Sequence, residues 1–182
     1  MLAVVLGLLA LSPIAHTGDS GKSIGALIGT NPALDDDPAT LRLSFRGEVP
    51  FTRAKLLGAY LLVPITLAWT GQGSVSLDPG STIVEIPLSA RLRLFPSSPV
   101  RLYGDLGTGV AFGSGWFVDD PDAAAAWMTR AALGFEVGPP EKWLISVEPL
   151  EALTFMPITG QPDERAPLRA DYGLMVGILL PL

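Results

Sequence analysis

Apolar and polar side chains alternate one by one over long stretches of this chain, and no other feature restricts its fold as much. From Thr82 to Phe95, Val84, Ile86, Leu88, Ala90, Leu92 and Leu94 share one parity, against Glu85, Ser89, Arg91 and Arg93 on the other. From Thr40 to Val49, Leu41, Leu43, Phe45 and Val49 oppose Thr40, Arg42, Ser44, Arg46 and Glu48. Pro99 to Gly113 sets Val100, Leu102, Leu106, Val110 and Phe112 against Arg101, Tyr103, Asp105, Gly107 and Gly109. Ala170 to Leu182 sets Tyr172, Leu174, Val176, Ile178, Leu180 and Leu182 against Asp171, Gly173, Met175 and Gly177. A period of two is the side-chain repeat of a β-strand and is incompatible with a helix.

Four further segments complete a set of eight: Ser23 to Thr30, Lys55 to Trp69, Trp127 to Val137, and Lys142 to about Phe155. The sixth is assigned as a strand on the parity of Trp127, Thr129, Ala131, Leu133, Phe135 and Val137 against Arg130 and Glu136. Ahead of it, Asp120-Pro121-Asp122 and four alanines offer a competing helix start. Pro64, Pro87 and Pro149 fall inside strand-like runs and predict bulges or locally unpaired positions, because proline donates no ladder hydrogen bond. Parity is lost after Pro149.

Connections alternate in length. Asn31 to Ala39, Gly71 to Ser81, Gly113 to Ala126 and Pro157 to Arg165 are long; Pro50 to Ala54, Pro96 to Ser98 and Gly138 to Glu141 are short. Asp35, Asp36, Asp37, Asp78, Asp119, Asp120, Asp122, Asp163 and Glu164 all lie in the long loops, while Arg53, Lys55 and Lys142 mark the short turns. Such an arrangement fits an up-and-down barrel of the bacterial outer membrane, with short periplasmic turns and acidic external loops. Trp69, Trp116 and Trp127 near the long loops, with Phe51, Phe95 and Trp143 near the short turns, fit two interfacial girdles.

Composition agrees. The chain is 48% hydrophobic but only 16% charged, with a mean hydropathy of +0.41. No apolar run after the first fifteen residues is long enough for a membrane-spanning helix. A lipid-facing barrel reconciles these facts by spreading apolar residues singly along its strands. The run Met1 to Leu11, followed by Ser12-Pro13-Ile14-Ala15, reads as an export signal over residues 1–15, leaving a barrel domain at 22–182; a buried first strand or helix is the other reading.

Eight alternating segments, an export-like start and alternating loop lengths together resemble the small outer-membrane barrel proteins, the group that includes the OmpA transmembrane domain and the opacity-type adhesins. Arg101-Leu102-Tyr103-Gly104-Asp105-Leu106-Gly107-Thr108-Gly109-Val110 is similar to the glycine-rich strand of many such barrels. The resemblance implies an all-β, eight-stranded antiparallel transmembrane barrel in a Gram-negative-type outer membrane. Where that group commonly closes on an aromatic residue, this chain closes on Ile178-Leu179-Leu180-Pro181-Leu182.

The polar parity collects Arg42, Arg46, Arg91, Arg93, Arg101 and Arg130 with Glu48, Glu85, Asp105, Glu136, Glu148 and Asp171. An eight-stranded barrel is just wide enough to be filled by side chains, so these charges are expected to pair across it and to leave no open pore. The single histidine, His16, sits at the signal boundary, which argues against a serine–histidine mechanism of the kind lipid-editing barrels use. The chain has no cysteine, excluding disulfides and thiolate metal sites. A net charge of -6 argues against nucleic acid as a partner.

Gly21-Lys22-Ser23 is weighed as a phosphate-binding loop and assigned instead to the start of the first strand. Asp35-Asp36-Asp37 and Asp119-Asp120-Pro121-Asp122 offer oxygen ligands for Ca²⁺ but match no EF-hand loop, and are assigned as solvated acidic loops. The expected function is therefore non-enzymatic and without cofactor: a monomeric structural or surface-interaction barrel whose partners are outer-membrane lipid and an extracellular molecule met by the long loops. A soluble or periplasmic ligand-binding barrel of lipocalin type, with its apolar face inward, is the main alternative, and a lipid-modifying enzyme the third.

Overall fold

The computed structural model describes residues 21–31, 39–71, 82–113, 125–139, 142–158 and 169–182. They form eight strands: β1 (Ser23–Asn31), β2 (Ala39–Arg53), β3 (Leu57–Gly71), β4 (Thr82–Leu94), β5 (Val100–Gly113), β6 (Ala125–Val137), β7 (Leu144–Pro157) and β8 (Arg169–Pro181). Each strand pairs antiparallel with its sequence neighbours, and β8 closes on β1 with Ser23 opposite Pro181 and Thr30 opposite Leu174. Closure removes both sheet edges, so every strand has a ladder on each side. The sixth segment is a strand, as its parity predicts.

Parity and burial coincide. Along β4 the burial alternates strictly from Ser89 to Leu94, with Ser89, Arg91 and Arg93 buried and Leu88, Leu92 and Leu94 exposed. Ile28, Phe45, Leu102, Leu106, Leu133 and Ile178 are likewise exposed, while Arg42, Glu48, Arg130 and Glu148 are at most 2% accessible. The polar face is the inside and the apolar face the outside. That orientation is opposite to the lipocalin arrangement, in which apolar residues would line the interior.

Three irregularities come from proline. A bulge between Pro50 and Thr52 carries β2 on to Arg53, so the expected turn at Pro50 to Ala54 is instead strand as far as Arg53, and the reversal lies at 54–56. Pro149 lies in a bulge between Glu148 and Glu151, where three steps on β7 oppose two on β8. Pro64 and Pro87 fall opposite each other across β3 and β4, where pairing lapses between Leu62–Ser89 and Thr66–Glu85 without any change of register. Each proline removes a donor, and two placed face to face confine the loss to one point of the wall.

The interior is layered along the barrel axis. At the long-loop end Ala68, Ile83, Ala111, Ala126, Met128, Leu153 and Phe155 form an apolar cluster. The charged side chains fill the middle. Toward the short-turn end Leu27, Leu144, Met175 and Leu179 form a second apolar cluster. On the outside, Phe51, Phe95 and Trp143 are exposed near the short turns and Trp127 near the long loops, as the two girdles require. Trp69 is half-buried near the long-loop end of β3. Trp116, the signal-like residues 1–15, His16 and the acidic loop residues lie outside the described residues.

Candidate functional site

Arg91 sits at the centre of the barrel, fully buried. Its Nε and Nη2 donate to the two carboxylate oxygens of Asp105 at 2.6 and 2.7 Å, a bidentate pair. Nη1 donates to Glu48 and, at 3.0 Å, to Glu136. Nη2 also reaches Glu148 at 3.3 Å. The guanidinium stacks over the Tyr103 ring, 3.7 Å from its centroid. Tyr103 in turn donates its hydroxyl to Glu148 at 2.9 Å.

Tyr103 fits because its register partner on β6 is Gly134. A β-carbon at Gly134 would come within 2.4 Å of the tyrosine ring. The neighbouring tyrosine, Tyr60, lies over Gly58 and is capped by Arg93, whose guanidinium is 4.3 Å from the ring centroid. Glycine, tyrosine and arginine thus stack twice, and the stacking consumes lumen width that a narrower side chain would leave empty.

The rest of the network radiates from this centre. Arg130 donates to Glu151 at 2.7 Å, to Asp105 at 3.0 Å and to Glu148 at 2.7 Å. Arg46 grips Glu148, with its Nη2 at 2.7 Å from the second oxygen. Arg42 pairs with Glu85 and Glu151. Arg93 donates from Nη2 to both Glu48 and Glu136 at 2.7 Å. Arg101 lies 3.9 Å from Glu136 and donates to the Ser98 carbonyl at 2.9 Å.

Six arginines and six carboxylates are therefore buried together: Arg42, Arg46, Arg91, Arg93, Arg101 and Arg130 with Glu48, Glu85, Asp105, Glu136, Glu148 and Glu151. All but one of these residues carry the expected assignment. Glu151 is the residue that simple alternation misses. The bulge turns Pro149 and Leu150 outward together and returns Glu151 to the inside, and the only sequence signal for this is Pro149 itself. Asp171 was expected here; it lies on β8 opposite Leu153, and its side chain is outside the described residues. The acidic loop clusters weighed for Ca²⁺ are also outside them. Ser23 begins β1, as expected for Gly21-Lys22-Ser23, and donates its hydroxyl to Glu48 at 3.0 Å.

Chemically this cluster is a lock. Arginine stays protonated in proteins, so it clamps carboxylates without shuttling protons. Its pairs cross the lumen between strands far apart in sequence, β2 to β7 through Arg42–Glu151 and Arg46–Glu148, and β4 to β6 and β7 through Arg91.

No protein-family model matches the chain, and no curated protein matches its sequence. Among solved structures the barrel is similar to the outer membrane enzyme PagL, with a TM-score of 0.55 and 13% identity over 88% of this chain and 99% of that one. It is also similar to the N-terminal beta-barrel domain of Pseudomonas aeruginosa OprF, with a TM-score of 0.50 and 9% identity over 88% and 97% of the two chains. At these identities the likeness establishes the fold: a closed, eight-stranded antiparallel barrel of the kind found in outer membranes.

Proposed function

We propose that this chain is an integral outer-membrane barrel with a sealed interior, and that its role is structural or interactive, exercised through its long loops. The observation that carries the reading is the inversion of polarity, with the charged network inside and leucine, isoleucine, valine and phenylalanine side chains exposed on every strand's outer face. Exposed apolar surface of this extent is costly in water and favourable against lipid acyl chains. Strands of 13 to 15 residues, such as β2, β4 and β5, exceed the span needed to cross a tilted bilayer. The ion-paired lumen supports a closed barrel over a pore.

One solved neighbour is an enzyme, so catalysis is the reading to set against this one. The buried carboxylates are engaged by arginines, which favours a fixed scaffold over a reactive site. Two measurements test the proposal. The protein folded into vesicles should run at a different position on a gel before and after boiling, and in planar bilayers it should give no stable conductance. Sustained channel openings would refute the sealed lumen. Incubation with outer-membrane lipids should leave them chemically unchanged by thin-layer chromatography; a new lipid product would replace the structural role with an enzymatic one.

A further inference from the structure

The seam between β3 and β4 carries a polar defect in the middle of the wall. Leu62 pairs with Ser89 and Thr66 with Glu85, and the register positions between them, centred on Pro64 opposite Pro87, are unpaired. In an antiparallel ladder, opposite residues alternate between pairs that exchange both N–H···O bonds and pairs that exchange neither. Pro64 still pairs with Arg46 on β2, and Pro87 with Gly109 on β5, without interruption. The two missing donors are therefore the ones aimed at each other across the seam. Each proline keeps the carbonyl that belongs to that exchange, so two main-chain acceptors face the gap and neither meets a ladder donor.

Buried polar atoms collect around the same point. Ser89, two residues beyond Pro87, is 1% accessible, and its hydroxyl has no hydrogen-bond partner among the described residues. Its register partner on β5 is Gly107, which has no side chain to meet it. Glu85, two residues before Pro87, and Arg46, opposite Pro64, are buried as well. Glu85 Oε1 and Arg46 Nε likewise lack a partner among the described residues. Acceptors and donors are thus both present: two prolyl carbonyls and a carboxylate oxygen, with a hydroxyl and a guanidinium N–H. The strands on either side of β3 are tied to each other. β3 itself has no charged side chain, and ion pairs pass across it from β2 to β4, Arg42–Glu85 toward the long loops and Glu48–Arg93 toward the short turns. These ties bracket the gap.

A main-chain carbonyl without a donor is costly at bilayer depth, and several convergent polar partners are what a buried water requires. We propose that the gap is a hydration site in the wall. Ordered water there donates to the Pro64 and Pro87 carbonyls and to Glu85, accepts from Ser89 and Arg46, and replaces the ladder bonds that the prolines lack. The site lies at the depth of Leu88, near mid-strand. It belongs to the wall and is independent of the role the loops play.

The test uses the full chain folded into phosphatidylcholine nanodiscs, with magnetisation transfer from water to protein read by NMR. Wild-type protein should show transfer from long-lived water at Val63, Ile65, Ile86 and Leu88, which border the gap. Leu106 and Ala131, register partners in the unbroken middle of the β5–β6 ladder, should show none. In Pro64→Ala/Pro87→Ala, each alanine supplies the N–H that the opposite carbonyl lacks. The ladder then closes, and the transfer should be lost while the mobility shift on boiling is kept. Should that double variant not fold, Pro64→Ala and Pro87→Ala singly each supply one donor and should weaken the transfer. Pro149→Ala, at the bulge on β7, should leave it at the wild-type level. Absence of transfer at the gap in folded wild-type protein overturns the proposal, as does transfer that survives both alanines. Fast deuterium exchange at the Leu62 and Thr66 amides, which flank the gap, would show that the strands part there, and would replace a fixed water site with a mobile seam.

Discussion

Arg91 contacts four carboxylates and a tyrosine ring from one position on β4. A guanidinium can do this because its donors are fixed in a plane, and lysine, with one mobile ammonium, offers no substitute. Replacing it with an apolar residue leaves Asp105 without its bidentate partner in a space with little water, and breaking a buried pair in this way is costly. Arg91→Leu is expected to destabilise the barrel by about 3–5 kcal/mol, read from urea unfolding in detergent. An unfolding midpoint equal to that of wild type would mean that the network contributes little and that strand pairing alone holds the barrel closed. At this same scale the sequence was informative about type and parity. Arginine and glutamate on one parity of β2, β4, β5 and β6 announced a charged interior, because a pleated strand sends successive side chains to opposite faces.

Strands add constraints that single residues do not. On β4 the outward face is Leu88, Ala90, Leu92 and Leu94, and Leu88 lies near mid-strand. Leu88→Arg places a guanidinium against lipid and should cost about 2–4 kcal/mol in folding to vesicles. A negligible change would show that this face does not meet the bilayer. The bulge on β7 leads to a less obvious expectation. Because Pro149 and Leu150 both point outward, deleting Pro149 restores simple alternation and keeps Glu151 inside. That deletion is expected to yield a folded, heat-modifiable barrel. Deleting Ala152 instead sends Leu153 and Phe155 from the apolar interior cluster to the outer face, and should prevent the mobility shift. If both deletions behave alike, the bulge does not set the phase of β7. The sequence marked this spot through Pro149 but left the phase beyond it open, since a bulge and a strand end look the same without the partner strand.

As a whole the molecule is a polarity-inverted cylinder with aromatic residues near both rims. Trp127 and Trp143 are 44% and 51% accessible on the outer surface, close to opposite ends. In vesicles carrying brominated acyl chains, bromines near the headgroup should quench tryptophan fluorescence more than bromines near the chain ends, because girdle tryptophans sit at the interface. Equal quenching at both depths would place the girdles elsewhere, and no quenching at all would mean that the outer face does not contact lipid. The amino-acid sequence by itself determined the strand count, which residues share a face, and the sorting of turns by length and charge; which face turns inward was settled by burial in the closed barrel. Those properties are local, repeated, and enforced by the pleat. Only the tertiary structure decided that Arg42 meets Glu151, 109 positions away, and that Pro64 and Pro87 share one gap in the wall. Closing the barrel brings distant strands within side-chain reach across a narrow lumen, and one extra residue at Pro149 changes which charges arrive there.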